Sequence, residues 1–370
     1  MKNIYADYNA TAIVKKKVKD SLVDWVSTYY GNPSSLHQPG QAAKHQMEAA
    51  RSLVAKAMGA LPAEIIFVSG GTESNVLGLL GLALQNKNKI KKVLVSSIEH
   101  SAILGQIDLI KSLGLEWAEI PVLPNGVVDL VMLEKLVDKQ PVLASVMLAN
   151  NETGVIQPIS EIVKIVKQFN GLVHCDAVQA FGKIEVAVKE LGVDTLSISG
   201  HKVGALRGIG ALYVKKGLVV KSVFGKGAHE REMRPGTENL IGILSLGQAC
   251  ESFADWSLLI KSRQQFETKL LSQFNVKIAG YDVLRIPNTV SVSFKGANKD
   301  LLLVGLDLKG IAASAGSACK ASLSLPSHVL KAMGYSPEEL AGVIRFSFGP
   351  ETTSEDFDYI IKSLSELLNN

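Results

Sequence analysis

Short apolar runs alternate with amphipathic stretches over the first two-thirds of the chain. Ile65-Ile66-Phe67-Val68, Val93-Leu94-Val95, Leu115 to Ile120, Val142 to Met147, Leu172 to Asp176, Thr195 to Ser199 and Ala211-Leu212-Tyr213-Val214 are brief and mostly apolar, and they predict strands. Between some of them, apolar positions recur at helical spacing. Val14, Val18, Leu22, Val26 and Tyr29 predict a helix over about 15–30, stopped by Gly31. Further helices are expected over 41–58, 73–84, 101–113, 130–138 and 159–169. Strands that stay apolar on consecutive positions belong to a mostly parallel sheet covered on both faces.

From about 257 the rhythm changes. A helix to about 273 is followed by Val290-Ser291-Val292-Ser293-Phe294, whose alternation predicts a half-buried strand. Gly310-Ile311-Ala312 and Val343 to Phe348 read similarly. A closing helix is opened by Thr353 and Asp356 in capping-box spacing, with Phe357, Ile360, Ile361, Leu364 and Leu368 on its inner face. The fold class expected is α/β, a large domain over 15–256 with a mostly parallel sheet. A smaller α+β domain is built from 1–14 and 257–370.

Composition narrows the class without naming a chemistry. The chain has 370 residues, 47% hydrophobic and 20% charged, with a net charge of +4. That suits a protein with a substantial core, and its scattered basic residues give no expectation of direct nucleic-acid binding. Val76 to Leu84, the longest apolar stretch, is too short to span a membrane. With no signal-peptide pattern at the N-terminus, a cytoplasmic location is expected. Three widely spaced cysteines, Cys175, Cys250 and Cys319, argue against a disulfide framework or a zinc site.

In a sheet of this kind, ligands bind beyond the carboxyl ends of the strands. At the end of Thr195 to Ser199 comes Gly200-His201-Lys202. A lysine there either leaves the sheet for solvent or serves as a desolvated amine that attacks a carbonyl. After Val68 comes Ser69-Gly70-Gly71-Thr72-Glu73-Ser74-Asn75, either a phosphate cup at a helix N-terminus or an ordinary turn capped by Thr72. His100, after the next strand, is either structural or placed to stack on a ring and move protons. Asp176 closes a buried strand and needs a cation or hydrogen-bond donors; a protonated pyridine nitrogen would serve, with Gln179 within reach of the neighbouring ring oxygen. His174 shares the Asp176 face, and Cys175 points to the core. A phosphate cup, a carboxylate, a histidine and a lysine, each at the C-terminal end of a strand, are together the parts of a pyridoxal phosphate (PLP) site.

Over essentially its whole length the chain resembles the cysteine desulfurases of the NifS/IscS type, in the class-V aminotransferase group of fold-type-I PLP enzymes. The matching segments are Tyr30-Gly31-Asn32-Pro33-Ser34-Ser35, Ser69 to Asn75, Glu99-His100, Asn150-Asn151-Glu152-Thr153-Gly154, Asp176-Ala177-Val178-Gln179, Ser199 to Lys202, Arg234 to Asn239 and Gly316-Ser317-Ala318-Cys319. The resemblance implies that Lys202 holds the cofactor as a Schiff base, Asp176 pairs with its ring nitrogen and His100 stacks on the ring. Gln179 and Asn151 would lie near its phenolic oxygen. Gly71, Thr72, Ser199 and His201 would hold the phosphate, with Thr237 joining from the partner of a homodimer. Asn32 and Arg345 would take the substrate carboxylate. In its strand Arg345 points away from Ile344, Phe346 and Phe348, which leaves either solvent or an anion as its partner.

Cys319 separates a desulfurase from its PLP relatives. Its neighbours in Ala313 to Ser322 are mostly small and unsuited to a core, so an exposed loop is expected, and Lys320 favours the thiolate. The implied activity takes sulfur from L-cysteine, releases L-alanine and holds the sulfur as a persulfide on Cys319. An acceptor protein, such as an iron–sulfur scaffold or a tRNA-thiolation enzyme, would receive it. Selenocysteine lysis or transamination is the nearest rival, and a PLP fold kept only as a scaffold is another.

Overall fold

A computed structural model describes residues 2–316 and 326–368. The chain opens with strand β1 (Ile4–Tyr5), helix α1 (Lys16–Thr28) and helix α2 (Gln38–Ala57). It continues through β2 (Ile65–Val68), α3 (Gly71–Asn86), β3 (Lys92–Ser96), α4 (Ser101–Leu104), α5 (Ile107–Ser112), β4 (Glu116–Ile120) and α6 (Leu130–Val137). Then come β5 (Val142–Ser145), α7 (Ile159–Lys167), β6 (Leu172–Asp176), α8 (Val188–Leu191), β7 (Thr195–Ser199), β8 (Gly210–Val214) and α9 (Leu240–Cys250).

The strands β2 to β8 form one seven-stranded sheet in the order β2-β8-β7-β6-β5-β3-β4. Only β8 runs antiparallel to its neighbours, so the C-terminal ends of the other six face one edge. Both faces are buried, as the unbroken apolar runs demand. Ile65, Phe67, Leu94, Val173, Cys175, Leu196 and Ile198 belong to one core with α2, α7 and α9. Ile66, Val68, Val93, Val95 and Leu212 belong to the other, with α3. Each fully buried aliphatic side chain of this kind contributes about 1.5–3 kcal/mol.

The remaining elements are α10 (Leu258–Gln273), β9 (Val276–Ile278), β10 (Thr289–Phe294), α11 (Lys299–Leu308), β11 (Ile311–Ala312), α12 (His328–Ala332), α13 (Pro337–Ala341), β12 (Val343–Ser347) and α14 (Ser354–Leu368). Strands β12, β10 and β9 make an antiparallel sheet with its own core, in which Phe346 and Phe348 lie parallel to each other and Phe266 and Phe357 meet them edge to face. The N-terminal arm returns here: β1 pairs in parallel with β11, and Tyr8 N–H donates to Ser347 O. Asp356 accepts from both the backbone N–H and the hydroxyl of Thr353, opening α14 at the expected place.

Two expectations are corrected. The helix foreseen over 101–113 is split into α4 and α5, because the chain turns through Gly105 and Gln106. The strand at 290–294 is buried on both faces rather than one. Its polar face meets α13, where Ser293 Oγ donates to Glu339 O, while Val329, Leu330 and Met333 at α12 cluster with Ala279 and Val343 on the neighbouring segments. Alternation revealed the polar face but not the helix that meets it. No helix among the described residues is long and apolar enough to cross a membrane.

Candidate active site

The C-terminal ends of β2, β3, β5, β6 and β7 open onto one cavity of about 210 Å³. Its walls include Gly71, Thr72, His100, Asn151, Asp176, Gln179, Ser199, His201, Lys202 and Arg345. Ten of the sequence-predicted residues are thus brought together. Asn32 and Thr237 lie outside it. Both are exposed; Asn32 Oδ1 accepts from Ser34 N–H at 2.9 Å, and Thr237 lines a separate pocket with Ser69 and Gly208. Cys319 falls outside the described residues.

Lys202 ends a single helical turn after β7. Its Nζ donates to Ala10 O at 2.8 Å and to Asn9 O, so the N-terminal arm holds the amine at the cavity wall. His201, one residue earlier, approaches Thr11 Oγ1 at 3.2 Å through Nδ1. Burial, with Lys202 and Arg207 nearby, depresses its pKa to about 4, which leaves it neutral.

Asp176 faces the cavity with little to balance its charge. Its Oδ1 accepts from Val178 N–H at 2.9 Å and its Oδ2 from Asn75 Nδ2 at 2.6 Å. Burial raises its pKa above the usual carboxylate range, against the N–H of Val178, His100, Asn75 and Lys202, which favour the anion. Behind it runs a directed chain. Asn75 spends its amide nitrogen on Asp176, so its Oδ1 must accept from His174 Nε2 at 3.1 Å. That fixes the tautomer, and His174 Nδ1 then accepts from Thr195 Oγ1 at 2.9 Å. Burial drives His174 down to about 3, so the ring stays neutral. Gly78 makes room for it: a Cβ there would lie 2.5 Å from His174 Cε1.

His100 caps α4 by accepting from Ala102 N–H through Nδ1 at 3.1 Å, which places the neutral ring's proton on Nε2. Burial lowers its pKa first; Asp176 pulls upward, while Lys202 and His328 push down. Beneath it Glu99 is fully buried, its Oε1 accepting from Ser96 Oγ at 2.5 Å and Met147 N–H at 2.6 Å. Desolvation raises its pKa to about 8 and keeps it protonated at neutral pH.

On β12, Arg345 points into the cavity from the small sheet, so the solvent reading is overturned. Only 1% exposed, it donates from Nη2 to Asp7 Oδ1 at 2.6 Å and from Nη1 to Asn151 O at 3.0 Å. Its Nε is buried without a partner among the described residues. Opposite, α3 starts at Gly71 with Gly70 as its N-cap, so Thr72 is the second residue of the first turn and not the cap itself. A Cβ on Gly71 would stand 2.9 Å from Val178 Cγ2, so this N-terminus closes on the β6 turn as only glycine permits.

Sequence reasoning missed Asn9, Lys183 and the work of Glu152. Asn9, 1% exposed, accepts Gln179 Nε2 at its carbonyl and gives its Nδ2 to Thr289 Oγ1 and Asn151 O. Glu152 Oε2 accepts from Ser327 Oγ at 2.6 Å and lies 2.9 Å from where a Cβ of Gly316 would be. The described chain on either side of 317–325 therefore converges on one carboxylate. Ser314, just before, exchanges backbone hydrogen bonds with Arg345, and His328, just after, meets Glu99 O through Nε2 at 2.9 Å. Only the motif Asn150 to Gly154 hinted at Glu152, and nothing in spacing marked Asn9.

The aminotransferase class-V family model matches residues 4–360. A protein named cysteine desulfurase IscS, from Dictyoglomus turgidum, is 39% identical over 373 residues, covering 99% of this chain and 95% of its own. A solved structure described as a NifS-like protein superposes with a TM-score of 0.92 at 35% identity, covering 100% of both chains. Another, described as SspA in complex with cysteine, has a TM-score of 0.83 at 32% identity and covers 95% of this chain and 100% of its own.

Proposed function

Because the chain belongs to the aminotransferase class-V family, we propose that it is a PLP-dependent cysteine desulfurase. It takes sulfur from L-cysteine, leaves L-alanine and carries the sulfur as a persulfide on Cys319. The single observation that carries the reading is Asp176: a buried carboxylate aimed into a cavity, on hydrogen-bond donors alone, opposite a lysine amine. A cationic ring nitrogen is the partner this arrangement lacks.

The residues fit the cofactor at each end. Gly71 and Thr72 open the 16-residue helix α3 and, with Ser199 and His201, would hold a phosphate at its positive end. Asp176 would pair with the ring nitrogen, His100 would cover the ring, and Gln179 and Asn151 would face its phenolic oxygen. When bound, PLP supplies an aldehyde that condenses with amines and a ring that accepts the electrons of a broken Cα–H bond.

The protein's own work is positioning and proton transfer. Arg345, already turned inward by Asp7 and Asn151, has an unpaired Nε for the substrate carboxylate. Lys202 Nζ would take the Cα proton of the substrate, and neutral His100 beside it can donate a hydrogen bond from Nε2–H. Cys319, as a thiolate, attacks the substrate sulfur: a new S–S bond forms as the C–S bond breaks, and the carbon keeps the electron pair and gains a proton. The described residues on either side of 317–325 support this, since Gly316 and Ser327 both meet Glu152, the neighbour in sequence of Asn151 on the cavity wall. Such thiol chemistry suits the reducing cytoplasm, where a scaffold for iron–sulfur clusters or a tRNA-thiolation enzyme would collect the sulfur. Purified with PLP, the protein should release alanine from cysteine one for one with sulfide when a thiol is supplied. Sulfide that appears with pyruvate in place of alanine would point to a different reaction.

Asn32 and Thr237 are exposed in the single chain, and Tyr30 and Leu36 beside Asn32 are 75% and 92% exposed. We take these segments to meet the cavity of a second copy in a homodimer, the large unit 15–256 supplying the cofactor site and the smaller unit 1–14 and 257–370 the cysteine. Protomers carrying Lys202→Ala and protomers carrying Thr237→Ala should then complement when mixed, because one site of the heterodimer keeps both native residues. Verified heterodimers that stay inactive would place Thr237 in its own chain's site.

A further inference from the structure

Lys183 is a buried lysine that the chemistry above does not use. It sits in the turn after β6, 5% exposed, and forms no ion pair among the described residues. Its Nζ donates to Gln179 Oε1 at 2.8 Å and to Asn9 Oδ1 at 2.8 Å. Desolvation, with Lys202 and Arg345 close by, pushes its pKa well below the usual lysine value. An amine kept in so unfavourable a place is expected to do something that a methionine of similar size would not.

What it does follows from donor counting. A protonated lysine is a donor only, whereas an amide has one accepting and one donating end. Lys183 and the Asn9 carbonyl, which can only accept, together oblige Gln179 to turn its oxygen to the amine and its nitrogen to the N-terminal arm. Gln179 Nε2 then gives one hydrogen to Asn9 O at 2.8 Å, and no other hydrogen bond of Gln179 occurs among the described residues. The second N–H remains for whatever occupies the cavity that Gln179 lines. Lys183 acts on Asn9 in the same sense: Asn9 Oδ1 takes Lys183 and Asn288, and its Nδ2 takes Thr289 and Asn151. One amine thus braces both amides in the orientation that the carbonyls of Asn9 and Asn151 also favour.

We propose that Lys183 is a positioning residue that fixes the Gln179 amide so that its N–H, not its carbonyl, faces the cofactor's ring oxygen. The inference rests on the PLP reading above. A donor at that oxygen favours its anionic, yellow form; a carbonyl there favours the protonated, colourless form.

The test uses PLP-saturated protein and its absorbance spectrum. The parent decides the underlying reading first: if it takes up no PLP and gains no colour, the PLP site is wrong, whatever Lys183 does. Given a yellow parent, Lys183→Met should lower the yellow-to-colourless ratio by about three- to tenfold, the worth of one polar contact. In a Gln179→Ala background the same change should do nothing more, because the amide it orients is gone. Should Lys183→Met not fold, Lys183→Gln is read instead. Its amide can meet Gln179 in either sense, so the lock is released and an intermediate ratio is expected. A parental spectrum in Lys183→Met or, where that is read, in Lys183→Gln would overturn the proposal. So would a Lys183→Met effect that persists undiminished beside Gln179→Ala, since the charge would then act directly and not through the amide.

Discussion

Replacing Lys202 with alanine is expected to abolish alanine formation, by at least about 10³-fold, and to remove the borohydride-trappable link between protein and PLP. The two losses have separate causes. Lys202 is the amine at the end of β7, and its Nζ already lies against the cavity wall, held by the carbonyls of Asn9 and Ala10. Without it the cofactor has no covalent anchor, and the Cα proton has no primary base. His100 remains, but its Nδ1 accepts from Ala102 N–H and its Nε2 carries the ring's proton, so it cannot take the place of the lysine without giving up that cap. The phosphate cup and Asp176 are untouched by the change, so PLP should still bind, more weakly and without the covalent link. Trapping and peptide mapping of the parent, with alanine measured for both proteins, check this. A trapped adduct on Lys183 or any other lysine would displace the assignment.

Cys319→Ser is expected to divide the reaction in two. Loss of the Cα proton needs the cofactor and Lys202, and neither depends on the 313–322 segment. Breaking the carbon–sulfur bond needs a thiolate to receive the sulfur, and a serine hydroxyl is far too weak an acid and too poor a sulfur acceptor. The variant should stay yellow, change its spectrum on adding cysteine and exchange the Cα hydrogen with deuterated water. Its alanine formation should fall by about 10²-fold or more. Cysteine is the required substrate, because selenium leaves more readily and can mask the loss. Parental alanine production from cysteine would remove the persulfide step and favour a lyase.

Much of this architecture was written in short-range pattern. Unbroken apolar runs such as Ile65 to Val68 read as strands buried on both faces, and Ile65 and Ile66 do enter different cores. In a parallel sheet every strand delivers its C-terminal residue to the same edge. Identifying strand ends was therefore enough to gather Gly71, His100, Asp176 and Lys202 into one cavity before any coordinates. Gln179 followed from Asp176, and the resemblance, carried by matched motifs, added Asn151, Ser199, His201 and Arg345, which line it too.

What pattern could not supply are the contacts that join distant parts of the chain. Arg345 reads equally well as a solvent-facing residue; only the placement of β12 against Asp7 and Asn151 turns it inward. Asn9 looks like a turn residue until the arm folds between the two sheets and its polar atoms find Lys183, Gln179, Thr289 and Asn288. Glu152 gains its meaning from Ser327, 175 residues away. Local periodicity reports which face of a segment is buried, because that depends on the segment's own side chains. It does not report what lies opposite that face. A buried polar group is specified by its partner, and here the partners come from other elements, so the tertiary structure alone decided them.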